Sequence, residues 1–183
     1  MKRHVAGTLL AVLVLLILDS HIDWVPQDHG TLLEVNGKRL DVKGRMAEHW
    51  RQLQRDCRGV TTEAGTGSTA RAVLHTIQQH SLPDSRQAQL LQLHRQGDWA
   101  IAEVAFKTLN PSLVVLRQGQ SEVQGDWRVQ DSAVWSGSTA PWWPADFVRR
   151  YWQQQAHELP QALRDCVPID ARRYATTAAG ASA

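Results

Sequence analysis

Between Gly97 and Thr139 apolar and polar residues alternate in three consecutive runs separated by turn residues, the pattern that sends successive side chains to opposite faces of a strand. Ala100, Ala102, Val104 and Phe106 share one face of the first run, and Glu103 and Lys107 fall on the other. Asn110-Pro111-Ser112 turns the chain, because proline fixes φ and donates no hydrogen bond to a ladder. Leu113 to Leu116 is apolar on both faces, which predicts a central strand. Beyond the loop at 119–125, Trp127, Val129, Ala133 and Trp135 alternate again, and Leu90 to Arg95 supplies a fourth strand upstream. Gly97-Asp98-Trp99 and Gly125-Asp126-Trp127 each close a turn and open a strand. The pattern predicts an α+β fold on an antiparallel meander of three to four strands with packed helices.

Around that meander the periodicity changes. Thr31–Val35 and Lys38–Val42 flank Asn36-Gly37, whose two turn positions both need φ above zero, so a β-hairpin is predicted there. From Arg45 to Cys57 the apolar positions Met46, Trp50, Leu53 and Cys57 recur at helical spacing and predict a buried stripe, with Gly59 ending the helix. A second helix, N-capped by Ser68, would bury Ala70, Val73, Leu74 and Ile77. Asp146–Glu158 would present Phe147, Val148, Tyr151, Trp152 and, just beyond, Leu159; Leu163 and Cys166 then lie one helical turn apart. From Ala171 to Ala183 the composition cannot bury a core, and a disordered tail is expected.

Composition adds a compartment. The first residues are Met1-Lys2-Arg3-His4, followed by fourteen residues without a charge, Val5 to Leu18. That length suits a signal segment better than a full span of about 20 residues. Leu18-Asp19-Ser20 is a poor cleavage site, and Ile22, Trp24 and Val25 can sit at an interface, so an uncleaved signal anchor over residues 1–25 is favoured and a cleaved signal peptide is the alternative. Lys2 and Arg3 would hold the N-terminus in the cytoplasm, followed by a connector (26–30), one extracytoplasmic, periplasmic domain (31–170) and the tail (171–183). In an oxidising compartment the only two cysteines, Cys57 and Cys166, form a structural disulfide. At 183 residues the chain holds one core of ordinary size.

Catalytic signatures are missing from the sequence. A net charge of +2 gives no basic footprint for nucleic acid. His49, His75, His80, His94 and His157 have no partners at metal-ligand spacing, so no metal is expected. The loop Gly65-Thr66-Gly67-Ser68-Thr69 lacks the fuller pattern of a phosphate cradle, and Ser136-Gly137-Ser138-Thr139 has no histidine nearby in sequence to act as base. Asp126 with Asp131, and Glu158 with Asp165, read as turn and helix-face residues. No catalytic residue and no cofactor is expected.

Eight tryptophans are the least ordinary feature. Trp99, Trp127, Trp135, Trp142 and Trp143 concentrate in the second half, and Trp142-Trp143 stands between prolines where both rings are expected to be exposed. Rigid exposed aromatics present large area at low entropic cost, so these five are the candidate binding residues, for an envelope protein or a cell-wall glycan. Core packing is the competing role for each. The cadence Gly-Asp-Trp-Ala, Val-Val-Leu-Arg, Trp-Arg-Val, spanning Leu90 to Val129, resembles small exported α+β domains of the NTF2-like and cystatin-like groups. That resemblance implies a helix packed on a curved antiparallel sheet and no particular activity. The function expected is a membrane-anchored, non-catalytic binding or assembly module. The alternative is a small envelope enzyme or pocket protein whose ligand lies on the concave sheet face, lined by Trp99, Trp127 and Trp135.

Overall fold

A computed structural model describes residues 22–107, 109–119 and 126–174. The charge-free N-terminal stretch, most of the 119–125 loop and the last nine residues lie outside these ranges.

Among the described residues nine strands form two antiparallel sheets. The small one runs β1 (Ile22–Gln27), β2 (Gly30–Val35), β3 (Lys38–Leu40), in that order. Asn36 and Gly37 join β2 to β3 at φ 50 and 75, the left-handed pair the hairpin requires. β1 was not foreseen, because Pro26 and a run of exposed side chains hide its pairing with β2. Trp24, expected as an interfacial anchor, lies in it opposite Leu33.

The large sheet has the order β4 (Thr61–Ala64), β5 (Gln89–Gln96), β6 (Trp99–Ala105), β7 (Ser112–Gln118), β8 (Trp127–Val129), with β9 (Trp135–Ser136) also on β7. The meander is therefore present. Its third run is broken, since a 3-10 turn at Asp131–Ala133 separates β8 from β9 and tucks Ala133 into the core. β4 is an edge strand of polar residues, which carries no alternation to read.

Both faces of this sheet are covered, whereas alternation in β6 suggested a half-exposed one. Helix α2 (Ser68–His80) packs Ala70, Val73 and Ile77 against Ala100, Ala102, Val104, Val114 and Leu116. On the other face Trp99, Ile101, Leu113 and Val115 meet Val148 and Trp152 of α3 (Pro144–Gln155), Leu163 of α4 (Gln161–Cys166) and Tyr174 of α5 (Ala171–Tyr174). Each fully buried aliphatic side chain contributes about 1.5–3 kcal/mol, so these two layers dominate the stability. Tyr174 is completely buried, so the core reaches past the boundary expected at 170. Ser68 is the first residue of α2 and makes no capping bond; Gly67 occupies the cap.

The last helix, α1 (Val42–Gln54), is the one the sequence misoriented. Its inward residues are Gly44 and Glu48, while Met46, Trp50 and Leu53 are 68%, 62% and 67% exposed. The helix ends before Cys57, which bonds to Cys166 at the end of α4 with Cα atoms 5.7 Å apart. The molecule is a disulfide-bonded α+β fold. Among the described residues no helix is long and apolar enough to cross a membrane.

Candidate functional site

Two chemically different surfaces meet at α1. Its inner side builds a buried charged junction; its outer side is bare and apolar.

The junction begins at the helix start. The Asp41 carboxylate accepts the Gly44 N–H at 2.7 Å, capping α1, and also the Trp143 N–H at 2.9 Å, tying that cap to the start of α3. A side chain at Gly44 would run into the same carboxylate and push it out of the cap. One turn on, Glu48 is 4% exposed and accepts from Arg51 Nη1 at 2.8 Å, Gln52 Nε2 at 3.1 Å and Arg149 Nη1 at 2.9 Å. Arg51 continues to Asp146 Oδ1 at 3.2 Å and lies 3.6 Å from Asp165 Oδ1. Arg149 also donates to the carbonyls of Arg164, Asp165 and Val167, fixing the end of α4. Burial pulls the Arg149 guanidinium below the ordinary arginine value, and the Glu48 charge opposes that shift. Every nitrogen of the Arg149 guanidinium has an acceptor and Glu48 is paired, which is what permits both to be buried.

Beside the junction a cleft of about 380 Å³ opens between α1, α3 and the large sheet, lined in part by Glu48, Gln52, Gln92, Glu103 and Arg173. Its second carboxylate is also engaged: Glu103 accepts from the Tyr174 hydroxyl at 3.1 Å and pairs with Arg173 Nη1 at 2.8 Å. Burial, with the Glu103 charge beside it, raises the Tyr174 phenol far above its ordinary value, so it stays a neutral donor. These carboxylates are committed to structural partners, which leaves neither placed as a ready acid or base.

The five expected binding tryptophans do not form one surface. Trp99 and Trp127 are buried on opposite faces of the sheet, under Arg117 and Arg95 respectively. Trp142, expected to be exposed, is 8% exposed: the chain folds its ring back onto Phe147 and His29. Trp143 is half-buried beneath the Arg45 guanidinium, 4.8 Å from the ring centroid. Trp135 is half-buried and meets Phe147 and Tyr151 edge-on at 5.2 Å. Flanking prolines signal a stiff corner, but stiffness does not decide which way the rings face.

The tryptophans left in solvent are Trp24 and Trp50. Trp50 sits with Met46 and Leu53 at spacings of four and three residues, one continuous stripe on the outside of α1. Lys43, seven residues before Trp50, lies on the same side and puts Nζ 5.9 Å from the Trp24 ring, linking the stripe to β1. Helical spacing did mark this stripe; the missing signal was what lies under the opposite face.

His94 is buried between Thr62 Oγ1 at 2.9 Å and Gln92 Oε1 at 3.2 Å, and His80 Nε2 lies 2.8 Å from Asp131 Oδ1. Among the described residues no three metal-ligating side chains gather. No protein-family model matches the chain, and neither a curated protein nor a solved structure is detectably similar to it.

Proposed function

We propose that the protein is a membrane-anchored, extracytoplasmic, non-catalytic binding module that acts through the outer face of α1. The observation that carries this reading is the bare stripe of Met46, Trp50 and Leu53 on a helix held by a cap, a buried ion cluster and a nearby disulfide. A contiguous apolar surface presented on a fixed element marks a contact site, because the domain gains nothing by keeping it in water. The contact thereby moves from the Trp142-Trp143 corner to α1. The disulfide supports an oxidising compartment, and the charge-free stretch Val5–Leu18 behind Lys2 and Arg3 supports the anchor. The α2-on-meander unit supports an NTF2-like or cystatin-like arrangement, to which α3–α5 add a second covering layer.

The test is fractionation of cells producing the full chain, with membrane-impermeant protease and thiol alkylation. The expected result is a membrane-associated protein, cleaved from the outside in spheroplasts, whose cysteines react only after reduction. Recovery from the cytosol with both thiols alkylatable would overturn anchor and compartment together.

A further inference from the structure

We infer that the outer stripe of α1 lies on the surface of the membrane itself, forming a second lipid contact beside the N-terminal anchor. The inference rests on the anchored reading above and names what the stripe touches. Only Asp19, Ser20 and His21 separate the charge-free stretch from Ile22 at the start of β1, and the four steps from Leu18 to Ile22 can span at most about 14 Å. Wherever Val5–Leu18 enters a bilayer, β1 stands within that distance of the headgroups. Trp24 is two residues further on, and Lys43 bridges its ring to the stripe carrying Met46, Trp50 and Leu53.

Charge favours lipid over a protein partner. On α1 the exposed Lys43, Arg45 and His49 stand in sequence among the apolar side chains, and exposed Lys38 is paired with Val35, itself opposite Ile22, at the end of the sheet where the anchor joins. The single acid of α1, Glu48, points inward. Asp23 and Glu34 face the side of the small sheet opposite Trp24, and Asp56 is held by Arg58. An apolar face bearing tryptophan and bordered by cations is the chemistry of a helix lying in the interface of an anionic leaflet.

The full chain is reconstituted in phosphatidylcholine–phosphatidylglycerol vesicles whose acyl chains carry bromine near the headgroup, and both flotation and tryptophan fluorescence are read. Six of the eight tryptophans are buried or half-buried, so quenching by bromine reports Trp24 and Trp50. The expected result is flotation with quenching, most of it lost in Trp50→Phe and part in Trp24→Phe, and weakened when phosphatidylglycerol is omitted. Flotation with no quenching, or quenching unchanged in Trp50→Phe, overturns the lipid contact and leaves the anchor standing. Failure to float overturns both. Protection of Trp50 that needs a second copy, seen as a concentration-dependent dimer in unbrominated vesicles and lost in Leu53→Ser, also overturns it.

Discussion

Helices α1 and α2 have the same length, thirteen residues, and each carries an apolar stripe at helical spacing, yet they are seated in opposite senses. α2 turns its stripe into the large sheet and is held by burial. α1 turns Glu48 and Arg51 inward to meet Arg149, Asp146 and Asp165, and leaves its stripe in solvent. The difference lies in the neighbours rather than the helices. Periodicity states that a helix has two faces; the surface waiting for it decides which is buried. Opposite α2 that surface is apolar, and opposite α1 it is a row of charges that only an acid and a base can satisfy.

The strongest way to break the comparison is to remove the hub of the charged junction. Arg149→Met takes the most buried of the three donors from Glu48 and strands three carbonyls, and should cost about 3–5 kcal/mol in urea unfolding; a near-neutral result would show that α1 is not held by charge. On the α2 side, Ile77→Ala should cost about 2–4 kcal/mol by the same measurement, through lost burial and the cavity left behind. Replacing both cysteines by serine frees a loop of 109 residues, and thermal melts should show a loss of about 2–4 kcal/mol.

A smaller effect depends on pH. Burial holds the His94 imidazole below its ordinary value of 6.5, so as pH falls the unfolded chain takes up this proton before the folded one. The contribution is complete above 6.5 and is lost as pH drops from there toward the lower folded value. His94→Gln should therefore flatten the fall in melting temperature between about pH 7.5 and about pH 5. The smallest change belongs to the exposed stripe: Leu53→Ala should shift stability by no more than about 0.5 kcal/mol without membranes, and a cost like that of Ile77→Ala would mean the stripe is covered.

What the sequence made legible is what local chemistry decides alone. Asn36-Gly37 dictates its turn, the apolar run Leu113–Leu116 its central strand, and the Ala70, Val73, Ile77 spacing its helix face. The disulfide followed from there being no other cysteine to choose. What stayed hidden depends on distant partners. Thr61–Ala64 becomes a strand only because β5 lies beside it, and Trp142 is buried because Phe147 and His29 are there to receive it. Tyr174, at the head of an Ala-rich run, is drawn in by Glu103 on a strand 71 residues earlier. The candidate site was marked by its spacing and read on the wrong face.

The position of the two cysteines sets an order of events. Ribosomes deliver Cys57 109 residues ahead of Cys166, so its thiol remains single while everything from β4 to α3 is being made. Any other sulfhydryl met during that interval is a rival. Correct oxidation therefore waits until Cys166 has been made, after β4 to β9 and α3, and before that point an oxidant can join Cys57 only to a second chain or to a small thiol.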